Sequence, residues 1–448
     1  MLHRALYRCY RTFSSVRYWV GRRFRPAGLV ALAGLVVAAG MGLDTSQNVA
    51  HQAFAFLLAL LLVAMGFALR FRARFAGERL LPRFATVGSG LAYRVLLQNQ
   101  TDRAQRGLLL IENLADPRPS QADFVAQFKA DDARTKSLRL ARRRPRRPRV
   151  AVRMKAQPVP AMPPRGSAEV TMQLTPLRRG VARFTALTAA RPDPLGMFQA
   201  FVHVLKAQSL VVLPRRYALP AIALPGAMKY QQGGVAQASS VGESEEFVAL
   251  RDYRPGDPPR RIHWPSWAKL GAPVVKEFQD EFFVRHALVL DTFTSAPESE
   301  VFEEAVSVAA SFACTVRTQE SLLDLMFIGP RAVCLTAGRG LAHVEQMLEV
   351  LAAVRPCRDQ PFAALSRLVL EHAGVVSGCI VILLEWDEPR RELLERLEAL
   401  GIPALALLVV EAGGGANGAA AAPDRPACLR VLEAGRIEAD LAKLRIDA

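Results

Sequence analysis

The sequence predicts an α/β domain and an all-β domain behind an N-terminal hairpin of two transmembrane helices. Two uncharged apolar runs fill residues 27–43 and 49–69. Segments alternating with period two recur through residues 80–215, and continuous apolar stretches separated by amphipathic helices occupy residues 284–448. With 448 residues, 51% of them apolar, the chain can build two or three cored domains, which excludes a disordered tail protein. A net charge of +17 calls for an anionic neighbour, and phospholipid headgroups and nucleic acid are the usual two.

Residues 1–26 read as a basic cytoplasmic N-terminus, and residues 27–69 as the hairpin. Each apolar run approaches the ~20 residues that cross ~30 Å of hydrocarbon, and a signal peptide would not explain the second run. Only Asp44-Thr45-Ser46-Gln47-Asn48 separates them. Arg4, Arg8, Arg11, Arg17, Arg22, Arg23 and Arg25 precede the pair, and Arg70, Arg72, Arg74 and Arg79 follow it. Flanking arginines stay inside, so both termini are expected in the cytoplasm and the acidic turn outside. Arg22, Arg23, Arg25, Arg70, Arg72 and Arg74 are the expected lipid-headgroup contacts, with Tyr18, Trp19 and Phe24 in an interfacial aromatic belt.

In residues 80–215 the clearest strand is Ser167 to Pro176, where Val170, Met172 and Leu174 alternate with Thr171, Gln173 and Thr175. Similar patterns at 91–98, 107–112, 181–187 and 198–205 predict a β-sandwich-like domain. A basic insertion, residues 134–155, interrupts it with arginines and with prolines at 145 and 148 that prevent a continuous helix. It suits an anionic surface or a solvated loop. No aromatic interleaving, zinc-finger spacing or recognition helix accompanies it, so nucleic acid is disfavoured as the partner. Cys9, Cys314, Cys334, Cys357, Cys379 and Cys428 contain no C-x-x-C spacing, so neither zinc nor a redox pair is signalled.

The densest polar cluster is residues 243–281, which include Arg251, Asp252, Tyr253, Asp257, Arg260, Arg261, His263, Trp264, Trp267, Lys269 and Lys276 around a Pro255-Gly256 turn. Asp257 could orient His263 as in a hydrolase. No G-x-S-x-G elbow, phosphate-cradling loop or dinucleotide fingerprint accompanies them, so a rigid connector is the expected role and no catalytic residue is assigned.

The string R-D-Y-R-P-G-D-P-P-R-R-I-H-W, continuing to A-K-x-G and V-V-K-E-F, resembles the hallmark of the bacterial family called domain of unknown function 58. Arg251, Tyr253, Gly256, Asp257, Arg260, Ile262, Trp264, Ala268 and Lys269 match the pattern position by position. Pro258 stands where many relatives carry an acid, and Pro265 where a base is frequent. The upstream stretch LTPLRRGVARFTALTAARPDPLGMF and the two-helix N-terminus fit as well. The resemblance implies a protein tethered to the bacterial inner membrane with a von Willebrand factor A-like part, often encoded beside MoxR-type AAA+ ATPases and transglutaminase-like membrane proteins. It implies no reaction.

In residues 284–448, apolar stretches at 287–291, 322–329, 379–385 and 404–410 predict buried parallel strands. Between the first two, Phe302, Val306, Ala309, Ala313 and Val316 form a helical core stripe, and 341–354 and 390–400 are further helices. The alternation predicts a doubly wound sheet, with residues 412–422 as a glycine-alanine loop. Ligands gather at the carboxyl ends of such strands, which singles out Asp291. In von Willebrand A domains that bind Mg²⁺, this position opens D-x-S-x-S. Here it reads Asp291-Thr292-Phe293-Thr294-Ser295, and Phe293 costs one coordinating oxygen. Asp291 and Ser295 remain as a degenerate site where Mg²⁺ is possible, with Thr292, Thr294 or Asp387 as substitutes, and no other cofactor is expected. The expected function is a non-enzymatic, two-pass inner-membrane scaffold that presents the C-terminal domain to a MoxR-type ATPase. A cell-envelope hydrolase using Asp257 and His263, or a basic nucleic-acid binder, are the alternatives.

Overall fold

A computed structural model describes residues 2–41, 48–116, 118, 121, 124–125, 151–220, 247–255, 257, 259, 262–278, 284–294, 299–315, 321–337, 341–412 and 426–444. The chain divides into two compact units, Met1–Leu213 and Pro214–Ala448.

The first unit opens with helices α1 (Leu2–Arg23), α2 (Pro26–Met41) and α3 (Asn48–Arg70). Residues 1–26, read from sequence only as a basic segment, are thus largely helical, because arginine favours helix and Leu6, Cys9, Phe13 and Val16 recur at helical spacing. Pro26 starts α2, where its missing N–H removes no helical bond. Val49–Arg70 is long and apolar enough to cross a membrane. The sixteen described residues of α2 reach ~24 Å at 1.5 Å each, and residues 42–47 that follow lie outside the described residues. Helices α2 and α3 pack together, with Leu57 Cδ1 3.3 Å from where a Cβ on Gly34 would lie. Most of the turn from Asp44 to Asn48 lies outside the described residues.

Among the described residues nine strands follow: β1 (Phe75–Leu80), β2 (Phe84–Thr86), β3 (Leu91–Asn99), β4 (Leu109–Leu114), β5 (Val152–Met154), β6 (Gln157–Pro158), β7 (Ser167–Pro176), β8 (Gly180–Pro192) and β9 (Gln199–Leu213). They form a four-stranded sheet, β1-β3-β7-β5, and a five-stranded sheet, β2-β9-β8-β4-β6. All pairs are antiparallel except β2 with β9. Strict alternation along β7 sends Val170, Met172 and Leu174 into a core shared with Phe184, Leu187 and Leu210 of the other sheet. The basic insertion is shorter than expected, since Val152–Met154 belongs to β5 and pairs with β7. Its residues 134–150 lie outside the described residues. Inside the core, Glu112 accepts two hydrogen bonds from Arg79, at 2.9 and 2.7 Å, and one from the Tyr93 hydroxyl at 2.8 Å. Burial, then the Glu112 charge, pushes the Tyr93 hydroxyl pKa up.

The second unit contains β10 (Phe247–Asp252), α4 (Trp264–Leu270), β11 (Val274–Phe278), β12 (Val284–Leu290), α5 (Glu300–Thr315), β13 (Ser321–Ile328), β14 (Ala332–Ala337), α6 (Leu341–Ala353), α7 (Ala363–Glu371), β15 (Gly378–Leu383), α8 (Glu388–Ala399), β16 (Ala404–Val410), β17 (Leu429–Glu433) and α9 (Ile437–Ala442). Strands β10 and β11 pair as a separate ribbon. The main sheet has the order β14-β13-β12-β15-β16-β17 and is parallel apart from β14, an antiparallel edge strand absent from the sequence expectation. Every residue of β15 is buried, as two covered faces require. Ala287 and Val289 join a core with Leu365 and Leu393 from α7 and α8, while Leu288 and Leu290, also buried, point the other way. Helix α5 is buried well beyond the expected stripe, with Ala305, Val308, Ala310 and Phe312 also enclosed. Chain order reverses across β12, whose neighbours are β13 and β15, so the switch-point crevice opens at the carboxyl ends of β12 and β15.

Candidate functional site

Two polar assemblies stand out in the second unit. The first grows from the β10–β11 ribbon. Antiparallel register sets Arg251 opposite Val275 and Asp252 opposite Val274, and the chain between the strands folds back onto the ribbon. Tyr253 N donates to Pro273 O at 3.0 Å, His263 N donates to Val274 O at 2.8 Å, and Ile262 bridges to Val275. Arg251 clamps Asp257 with two hydrogen bonds of 2.7 Å each, and the Arg254 N–H donates to the same carboxylate at 2.8 Å. That guanidinium, with the Arg254 N–H, holds the Asp257 pKa down at about 2.

Asp257 therefore locks the turn, and its carboxylate serves Arg251 rather than His263. The His263 ring lies instead with Nδ1 2.7 Å from Ser266 Oγ, at the start of α4. Trp264 and Trp267 stack at 5.2 Å between ring centroids, and Gly271 ends the helix at φ +72°, a left-handed turn that suits glycine. Ala268 and Lys269 are exposed and Tyr253 is partly so. Gly256 and Arg260 lie outside the described residues.

The second assembly fills the switch-point crevice. Asp291 follows β12 and is fully buried. Its Oδ1 accepts from Phe293 N at 2.9 Å, and its Oδ2 accepts from Leu384 N at 3.1 Å and from Arg390 Nε at 2.7 Å. Arg390, on the first turn of α8, also donates from Nη1 to Asp387 Oδ2 at 2.5 Å and lies over the Phe362 ring, 4.7 Å from its centroid. Asp387 caps α8 by accepting from Arg390 N at 3.3 Å. Burial pushes the Asp291 carboxyl pKa up, and the adjacent guanidinium and two backbone N–H groups oppose that push.

These residues do not fit the degenerate Mg²⁺ site expected from the sequence. Asp291 Oδ2 is held by a guanidinium and Oδ1 by the Phe293 N–H, Asp387 is committed to the same arginine, and Thr292 Oγ1 donates to Ile328 O at 2.6 Å. Phe293 packs edge-on against Phe362, and Ser295 lies outside the described residues. No cluster of three or more His, Cys, Asp or Glu side chains suited to a metal occurs among the described residues. Sequence reasoning missed Arg390. The Asp387-Glu388-Pro389-Arg390 start of α8 signals a capped helix, but nothing local says that its arginine reaches back to Asp291.

In the first unit, two of the arginines assigned to lipid are turned onto protein instead. Arg22 donates to Asn113 Oδ1 at 2.6 Å, and Arg22 and Arg23 sit over the Phe201 ring at 5.5 and 4.8 Å. Arg25 N donates to Met197 O at 2.9 Å, whereas Arg70, at the end of α3, and Arg72 and Arg74, which follow it, are exposed. The D-P-L-G-x-F element forms the seat for these helices. Asp193 accepts from Leu195 N and Phe198 N, Gly196 takes φ +69°, and Phe198 packs with Phe24 and with Ala64 and Ala68 of α3.

The family model described as "Protein of unknown function DUF58" matches residues 249–386, which contain the Arg251–Asp257 clamp and Asp291. That stretch belongs to DUF58. The chain is also 25% identical over 205 residues to the uncharacterized protein YeaD of Bacillus subtilis (strain 168). The match covers 45% of this chain and 49% of YeaD, so this chain spans about half the length of that relative. Among solved structures, the CARDB domain of PF1109 from Pyrococcus furiosus aligns with 12% identity and a TM-score of 0.17, covering 31% of this chain and 94% of that domain. The native form of E. coli alpha-2-macroglobulin aligns with 13% identity and a TM-score of 0.19, covering 37% and 8%. Arg390 lies just beyond the DUF58 match, although its charge completes the crevice inside it.

Proposed function

We propose that the chain is a non-enzymatic scaffold of the bacterial inner membrane, anchored by α2 and α3 with both termini in the cytoplasm, which presents the second unit to a protein partner. The observation that carries this reading is that the central carboxylate of each assembly is held by an arginine. Asp257 is clamped by Arg251 and Asp291 by Arg390, leaving neither carboxylate free as a base or a metal ligand. The apolar length of α3 and the arginines after it support the membrane anchoring. The mainly parallel sheet and its switch-point crevice support a von Willebrand A-like docking domain. A MoxR-type AAA+ ATPase is the partner that the family resemblance suggests.

The test is co-elution of the purified full chain with a MoxR-type ATPase in detergent, with and without ATP. A nucleotide-dependent complex is expected, and its absence under ATP-bound conditions would overturn the partner assignment. As part of the connector, His263→Ala should lower stability or weaken partner binding, since it removes the contact with Ser266 Oγ. Hydrolytic turnover of envelope precursors by the native chain, abolished by that substitution, would instead establish the hydrolase.

A further inference from the structure

Helix α1 has two unlike sides. One lies on the protein: Tyr7 and Tyr10 pack on Phe124 with ring centroids 5.5 and 5.2 Å apart, Arg118 Nη1 donates to Ser15 Oγ, and Arg22 reaches Asn113. The other carries Leu6, Cys9, Phe13 and Val16, a stripe with spacing of three, four and three residues that stays on one helical face. Leu6, Phe13 and Val16 are 40%, 72% and 55% exposed, and Cys9 is exposed. Arg4, Arg8, Arg11 and Arg17 are exposed on the same helix, and α1 contains no acidic residue.

The level of this helix is set by its exit. Phe24, immediately after α1, packs in one cluster with Ala64, Ala68 and Phe71, the final turns of α3 and its first following residue. If α3 crosses the bilayer, the C-terminal end of α1 is pinned where α3 emerges, next to Arg70, Arg72 and Arg74. A helix at that depth, apolar on its outer face and bearing exposed arginines elsewhere around its circumference, has the composition of one lying in a bilayer interface.

We propose that α1 is an in-plane lipid-binding helix, whose Leu6, Cys9, Phe13 and Val16 stripe enters the headgroup layer of an anionic leaflet while its opposite side holds the β-sheet unit. The inference rests on membrane anchoring by α3 and adds a second, peripheral attachment to it. Anionic lipid is favoured over a second copy of the chain because α1 carries four exposed arginines and no acidic residue of its own, so two such helices would repel one another.

The test uses the full chain in phosphatidylcholine vesicles with and without phosphatidylglycerol. Cys9 is alkylated by a charged, membrane-impermeant maleimide and read by peptide mass spectrometry, with exposed Cys334 as the reference thiol. In anionic vesicles Cys9 should be shielded relative to Cys334. The Leu6→Asp/Phe13→Asp variant should raise the Cys9-to-Cys334 labelling ratio by about tenfold, with α3 still embedded. Removing phosphatidylglycerol should weaken the shielding in the native chain. Equal ratios in native and variant chains would overturn the proposal. So would shielding that follows protein density rather than anionic lipid, which would assign the stripe to self-association. Release of the native chain by alkaline carbonate would overturn the anchoring itself, a failure distinct from unshielded Cys9 in chains that remain embedded.

Discussion

Replacing Arg390 with methionine keeps most of the side-chain volume and removes the counter-charge of Asp291. The carboxylate is completely enclosed and the Arg390 side chain is 4% exposed, so water cannot take the place of the guanidinium without opening the crevice. Breaking a buried ion pair from one side costs about 3–5 kcal/mol. Asp291 would keep its hydrogen bonds from Phe293 N and Leu384 N, which argues for the lower end, near 3 kcal/mol. For a unit of this size each kcal/mol moves Tm by about 2–4 °C, so the second unit should melt about 6–12 °C earlier. Calorimetry of the full chain in detergent would read this. The Arg390→Met/Asp291→Leu double variant should recover most of the loss, because it removes both the stranded charge and its partner. A single-variant loss below about 1 kcal/mol, or a double variant no more stable than Arg390→Met, would refute Arg390 as the internal counter-ion.

Millimolar Mg²⁺ should leave the native Tm unchanged, since a ligand that does not bind the folded state cannot stabilise it, and a concentration-dependent rise would reveal a metal site. Asp257 titrates at about 2 when folded, below its unfolded value, so its clamp is at full strength above pH ~4 and is lost as pH falls through about 2. Amide exchange in the β10–β11 ribbon should accelerate across that window in the native chain, while Asp257→Asn should show fast exchange above it and no step. Gly28→Ala would put a Cβ 2.2 Å from Met197 O, so α2 must shift at a cost of about 1–3 kcal/mol, read as a lower Tm of the first unit. Gly40→Ala, with nothing within 4 Å of the added carbon, is its control. Arg79→Met should destabilise the first unit by about 3–5 kcal/mol in denaturant melts, and Arg79→Met/Glu112→Leu by much less.

Much of the architecture was legible locally. Strand β7 follows from alternation in ten residues, and β15 and β16 from unbroken apolar runs, because a strand's pattern records how many of its faces are covered. The motif Arg251 to Lys269 could be recognised by its spacing, and its residues within the match lie in the stretch that belongs to DUF58. Edge strand β14 escaped because its exposed, irregular pattern resembles a loop, and α1 because a run of arginines reads as a solvated tail.

The sequence by itself determined the apolar helices, the two kinds of strand and the arginine-tryptophan turn, since each is written in neighbours a few residues apart. Only the tertiary structure decided what the charges do. Arg390 meets Asp291 across 99 residues and Arg79 meets Glu112 across 33, and a partner at that separation leaves no periodicity to read. The same is true of α1, whose outer stripe could be distinguished from its inner side only once Tyr7, Tyr10 and Arg22 were seen against the β-sheet unit. Burial is a property of the folded surroundings: a carboxylate that looks like a metal ligand in sequence becomes half of an ion pair when the fold brings a guanidinium 2.7 Å from it.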